Sequence, residues 1–395
     1  MSIKKIIFLT ESFFFKRDYD RFGIQVLKEN GFIVELWDLT PFLQPELYRG
    51  YKNNDSFKYE YYRLFIAQEN AITALRKLRK DCFIVCLIGY NFKSYCIYRT
   101  ISRNKLPYAL CLVSGTPLPS GKLYCSFVGK IRKIFKEPQR ALHKVANRLF
   151  LPRYCKFMGI KSANIVLLGG ARSVDYLRHY PVDEKTEKLW GHALDYDLYL
   201  EKKKALPQTT SNVAVFLDEY VPFHPDYLLA NVESFSSPDE YYPILCKFFD
   251  KVEQVLGLNV VVAAHPKSNY NEHPDYFCGR AVIKGKTMEL VKEAKLVIAH
   301  SSTSIFFSVL FRKPLVIITT DSLDQSPQRL EIDAMAVALN KKIININRKL
   351  DLDLNDELLM DDTVYSQFKE DYIKKMDSED LPLWQMFANR VKSFL

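Results

Sequence analysis

The sequence predicts an α/β protein built from two open parallel sheets, each with helices on both faces. Short apolar runs rich in Val, Ile and Phe alternate with stretches of helical spacing, and this alternation occurs twice, before and after a polar stretch at residues 181–210. The 395 residues are 48% hydrophobic and 14% aromatic, a globular composition that gives each of two domains enough core to fold without disulfides or metals.

The first set opens with residues 3–9, an apolar run ending in Thr10-Glu11-Ser12. A helical stretch through Phe22, Val26 and Leu27 stops at Asn30-Gly31, and residues 32–39 form a second strand. This is β-α-β with a glycine helix stop. Residues 60–80 carry helical spacing, 81–88 form a strand, 90–101 a helix, and 107–113 a strand ending in Ser114-Gly115-Thr116-Pro117. A further strand is expected at 163–168. The second set begins at Asn212, with strands at 213–217, 259–264, 281–283, 296–299 and 315–319 and helices at 237–256, 288–294 and 303–310. The expected division is a Rossmann-like first domain over 1–185, a linker over 186–211 and a Rossmann-like second domain over 212–395, whose last helices pack back on the first. The two domains are expected to face each other across a cleft, since ligands of open α/β sheets bind at strand carboxyl ends.

The net charge is +10, from 56 Lys+Arg against 46 Asp+Glu. Residues 121–161 alone contain eleven Lys/Arg and one acid, so the rest of the chain is balanced. In that segment the cations alternate with Val128, Ile131, Ile134, Phe135, Leu142, Val145 and Leu149, broken near Pro138. Two basic amphipathic helices inserted in the first domain follow from this spacing. Lys130, Arg132, Lys133 and Lys136 are the expected contacts with an anionic membrane surface, and a solvated helical face is the plainer alternative. The mainly aliphatic apolar residues speak against a nucleic-acid groove, where aromatics interleave with Lys/Arg.

Eight cysteines without a CxxC pair sit mostly in apolar runs, as buried thiols of a reducing cytosol do. The apolar stretch in MSIKKIIFLTES is too short for a signal peptide, and no run reaches the roughly 18 apolar residues of a membrane span. The expected location is cytoplasmic, peripheral to a membrane.

Three strand ends of the second domain carry the candidate chemistry. Asp218 and Glu219 follow the first strand, where partial desolvation suits a carboxylate to act as a general base; capping a turn or pairing with a lysine is the alternative. His265-Pro266 ends the strand 259–264, placing an imidazole to hold a phosphate oxygen or to bond a neighbouring carbonyl. Ser301, Ser302 and Thr303 begin a helix after the strand 296–299, where N–H groups in the first turn suit an anion, although a helix cap needs only one such hydroxyl. Between them, Lys284-Gly285-Lys286-Thr287 is a loop able to contact a nucleotide, and Glu289 is either a ribose ligand or a solvated helix acid. In the first domain, Arg17 and the turn Ser114-Gly115-Thr116 are candidate acceptor or donor-carboxylate contacts. No GxxxxGK[ST] loop, no GxGxxG after the first strand and no metal-ligand spacing occurs, which removes most support for ATPase, dinucleotide and zinc chemistry.

The order of acidic strand end, HP, acid and Ser/Ser/Thr helix start resembles bacterial GT-B glycosyltransferases that use CMP-activated acidic sugars: the sialyltransferases, polysialyltransferases and relatives acting on Kdo, legionaminic or pseudaminic acid. The resemblance covers mainly residues 212–320. It implies a GT-B-like pair of domains and a metal-independent, inverting transfer with a CMP-sugar as co-substrate, no cofactor, and a glycan or lipid-linked glycan as acceptor. Asp218 or Glu219 would then be the base, and His265, Ser301 and Ser302 the phosphate contacts. It also implies a location at the inner face of the bacterial membrane and a role in capsule or lipopolysaccharide synthesis. The family motif D/E-D/E-G reads Asp218-Glu219-Tyr220 here, with Tyr in place of Gly. The chain resembles, too, teichoic-acid polymerases that transfer glycerol phosphate from CDP-glycerol. Other nucleotide-sugar transferases and a non-enzymatic membrane or nucleic-acid adaptor are the remaining alternatives.

Overall fold

The structure, a computed structural model, describes residues 2–50, 57–119, 155, 157–203, 211–224, 227, 233–348 and 356–394. The chain divides into two compact units: Met1–Gly115, Lys122–Leu194 and Lys375–Leu395 make the first, and Thr116–Gly121 with Asp195–Lys374 the second. Lys130, Arg132, Lys133 and Lys136 lie outside the described residues.

The first unit holds β1 (Lys5–Thr10), β2 (Ile33–Asp38), β3 (Tyr62–Leu64), β4 (Cys82–Cys86), β5 (Tyr108–Leu112), β6 (Ile165–Leu168) and β7 (Glu187–Trp190). They form one parallel sheet in the order β3-β2-β1-β4-β5-β6-β7. Alternate residues of a strand face opposite ways. Ile7, Leu9, Ile84 and Leu110 therefore enter one core with Tyr98 and Tyr108, while Ile6, Phe8, Phe83 and Val85 enter the other. Burial on both faces explains why these strands read as unbroken apolar runs.

The second face is closed by the helix Leu383–Lys392, whose Trp384 and Phe387 are buried among Phe8, Phe83 and Ile24. Trp384 Nε1–H donates to the Arg21 carbonyl at 2.7 Å. Gly23 lies under this indole with φ +53°, and a Cβ there would come within 2.4 Å of the Trp384 ring. Only glycine meets both demands.

Two stretches differ from their sequence reading. Residues 60–80, expected to be helical throughout, begin with the edge strand β3 and become helix only at Gln68–Arg76. The aromatic Tyr61-Tyr62 pair fits a half-buried strand, and Tyr62 OH bonds Asp38 Oδ2 at 2.6 Å. Residues 186–211, read as a linker, hold β7, which pairs with β6 as the far edge of the first sheet.

The second unit contains β8 (Val213–Leu217), β9 (Asn259–Ala264), β10 (Val282–Lys284), β11 (Leu296–Ala299), β12 (Leu315–Thr319) and β13 (Ile343–Asn345), all parallel, in the order β10-β9-β8-β11-β12-β13. The helix Pro238–Leu256 follows Ser237 and stops at Gly257 in the left-handed conformation (φ +63°). Its Tyr241, Tyr242, Leu245, Phe249 and Val252 are buried. Among the described residues no helix is long and apolar enough to cross a membrane.

Candidate functional site

β8 lies between β9 and β11, and the strand order reverses there: the chain builds β9 and β10 outward on one side, then crosses to β11 on the other. Loops that diverge at such a switch point leave a crevice at the strands' carboxyl ends. Leu217 pairs with Ala263 and Phe216 with Ile298, so Asp218-Glu219, His265 and His300-Ser301 all leave the sheet at that edge.

Asp218 is 4% exposed and ties the first two of these loops together. Its Oδ1 accepts the Tyr220 N–H at 2.8 Å; its Oδ2 accepts the His265 N–H at 3.0 Å and the Tyr270 hydroxyl at 2.9 Å. The Tyr242 hydroxyl donates to that of Tyr270 at 3.2 Å, extending the chain inward. Burial pushes the Asp218 carboxyl up to about 6 against the opposing pull of these three donors.

Glu219 reaches the third loop. Its Oε1 accepts the Ser301 N–H at 2.7 Å, and its Oε2 accepts the Ser301 hydroxyl and Gln328 Nε2–H, each at 3.3 Å. Burial raises this carboxyl too, opposed chiefly by the Ser301 and Ser302 N–H groups. The N–H groups expected to await an external anion thus already hold one, a side-chain carboxylate. The helix itself starts at Ile305 rather than Thr303, because Ser302 Oγ accepts the Ser304 N–H at 3.3 Å in a hydroxyl turn before it. Thr303 is exposed at the tip of that turn.

His265 Nδ1 accepts the Lys267 N–H at 3.2 Å, so the neutral imidazole carries its proton on Nε2. Pro266 is exposed beside it. Tyr220, where the family motif has Gly, sits in the left-handed region (φ +53°, ψ 39°). That conformation favours glycine and costs a tyrosine roughly 1 kcal/mol. The departure from the motif therefore changes the side chain and leaves the turn in place.

Sequence reasoning gave no role to Tyr220, Tyr270, Gln328 or His300. His300 is fully buried: Nδ1–H donates to the Ile318 carbonyl and Nε2 accepts the Tyr241 hydroxyl, both at 2.8 Å. Burial lowers its imidazole to about 4, so it is neutral at pH 7 and pins the end of β11 to β12. A histidine at the end of an apolar run was a visible signal; Tyr270 and Gln328 had none, since they meet the site only through folding.

The remaining candidates spread out. Lys284 Nζ donates to the Ser268 carbonyl at 3.0 Å, below the loop that carries His265. Gly285 (φ +79°) and Lys286 are exposed at the end of β10, and Thr287 opens the helix Thr287–Glu293. Glu289 forms an ion pair with Lys202. In the first unit, Arg17 is exposed with its guanidinium 3.8 Å from Asp18. Ser114 is exposed after β5, and Gly115 is buried next to Tyr176. Thr116 is grouped with the second unit.

No protein-family model matches the chain, and no curated protein matches its sequence. Solved structures do match over its whole length. The wall teichoic acid polymerase TagF superposes with a TM-score of 0.51 at 10% identity, covering 100% of this chain and 89% of that one. A protein described as a UDP-N-acetylglucosamine 2-epimerase, from Listeria monocytogenes, superposes with a TM-score of 0.50 at 11% identity, covering 99% and 95%. At such identity the likeness speaks for architecture: the chain has the GT-B fold of two Rossmann-like domains.

Proposed function

We propose that the protein is a metal-independent, inverting glycosyltransferase that moves an acidic sugar of the sialic, legionaminic, pseudaminic or Kdo type from a CMP-sugar to a surface glycan or lipid-linked acceptor. The observation that carries this reading is the Glu219 carboxylate seated on the Ser301 N–H and hydroxyl: the donors at the switch point accept an anion. On this reading the CMP phosphate takes the Ser301 and Ser302 donors, and Glu219 is displaced toward the acceptor. Its carboxylate, raised by burial, then accepts the acceptor hydroxyl's proton as the new C–O bond forms at the anomeric carbon and the bond to CMP breaks. Asp218, almost wholly buried and committed to two backbone N–H groups, holds the loops. The His265 Nε2–H and the Ser301-Ser302 donors stabilise charge on the departing phosphate. The Lys284–Thr287 loop is the expected nucleoside side, and a ribose role for Glu289 requires it to leave Lys202.

Likeness to a wall teichoic acid polymerase is in keeping with a cell-surface acceptor. A cytoplasmic protein held at the inner membrane face by its basic segment would meet such an acceptor. In a CMP-sugar transfer assay, Glu219→Gln and His265→Ala should each lose about 100-fold or more in kcat, the range of a removed base or oxyanion donor, with melting temperatures close to wild type. Wild-type turnover in both variants would defeat the mechanism.

A further inference from the structure

We propose that Tyr220 is a positioning residue for His265, held in a strained backbone conformation so that its ring fixes the imidazole; this rests on reading His265 as the contact to the donor phosphate. A tyrosine in the left-handed region (φ +53°) beside two candidate catalytic acids points to a local demand on the side chain, because such outliers persist where the surroundings over-determine them.

The surroundings do so here from three directions. The Tyr220 N–H donates to Asp218 Oδ1, and the His265 N–H donates to Oδ2 of the same carboxylate, so the two residues hang from one anchor. The Phe223 ring packs against that of Tyr220 at 5.2 Å between centroids, tilted by 43°. Tyr270, itself bonded to Asp218, packs edge-on against the same Tyr220 ring at 5.4 Å. The ring held this way lies parallel to the His265 imidazole, within 10° and 6.4 Å between centroids, an offset stacking geometry. The His224 ring approaches the same imidazole at 5.0 Å, tilted by 58°. With these two rings packed against it and Nδ1 taken by the Lys267 N–H, the imidazole keeps one orientation and one tautomer. A ring turned over by 180° would exchange Nδ1 for carbon at the Lys267 N–H and aim Nε2–H elsewhere. The flipped ring lies in the same plane and is excluded by the Lys267 bond; Tyr220 acts by holding the plane in which that bond forms, without touching substrate.

The test compares Tyr220→Phe, which keeps the ring, with Tyr220→Gly and Tyr220→Asn, which suit a left-handed backbone and remove the ring. Two such variants are used so that a folding failure in one leaves the other. Nitrogen-15 NMR of the His265 ring in the ligand-free protein is the first readout. Wild type and Tyr220→Phe should show a single Nε2–H tautomer, and the ring-less variants averaged ring nitrogens. In CMP-sugar transfer, the ring-less variants should fall at least tenfold below Tyr220→Phe in kcat, with KM for acceptor changed less than twofold. A single Nε2–H tautomer in a folded ring-less variant overturns the proposal whatever the kinetics. Averaged nitrogens in a set where wild type transfers no sugar keep the positioning role and instead overturn the assigned reaction.

Discussion

Asp218 and His300 lie one strand apart, and burial drives both toward neutrality with opposite consequences for stability. The Asp218 carboxyl, ordinarily near 3.8, sits at about 6 in the folded protein. Its contribution is therefore fully present below its unfolded value and is lost as pH rises through 6. A shift of about two units corresponds to about 3 kcal/mol. The His300 imidazole, lowered from 6.5 to about 4, contributes above 6.5 and loses that contribution as pH falls through 4. Since the two slopes oppose, the Asp218 effect is read from urea denaturation of wild type against Asp218→Asn. The stability of wild type minus that of the variant should fall by about 3 kcal/mol between pH 3.5 and pH 8. A difference that stays flat or grows with pH would show that the three donors on Asp218 outweigh its burial.

At the scale of elements, what could be read from the sequence was what local pattern determines. Strands buried on both faces announce themselves as apolar runs, so β1, β8, β9 and β11 lie close to their expected positions, as do the residues at their carboxyl ends. What could not be read depends on partners distant in the chain. β3 is an edge strand with two exposed residues, and its short aromatic run has no period strong enough to separate it from the helix after it. The occupation of the Ser301 donors by Glu219 joins residues 82 positions apart. The first sheet uses the same device: at its own reversal, between β1 and β4, Glu11 accepts the Gly89 N–H at 2.8 Å. An acid after the first strand of each sheet thus closes the gap where loops diverge. The helix Leu383–Lys392 is another long-range term, since it covers a face of the first sheet nearly 400 residues from that sheet's start. Truncating its anchor in Trp384→Ala should cost about 3–5 kcal/mol, read as a lower urea midpoint; a loss below 1 kcal/mol would mean that the helix is not part of the first unit's core.

For the whole molecule, two parallel sheets of seven and six strands supply a scaffold that serves many chemistries, so function is argued from the site. The excess of charge resides in residues 121–161, a segment separate in sequence from the strand ends that carry Asp218, Glu219, His265 and Ser301. The sequence pattern reached those four residues but not the arrangement that links them, in which one acid anchors two loops and the other occupies an anion site. The central claim is that this site takes the phosphate of a CMP-linked acidic sugar. Its most direct test is to incubate the protein and a glycan acceptor separately with CMP-linked acidic sugars, CDP-glycerol and UDP-sugars, identifying the product by mass. The account predicts CMP release together with an acceptor heavier by one acidic sugar, from CMP-sugars alone; an acceptor heavier by glycerol phosphate, or a product only from UDP-sugars, would contradict it.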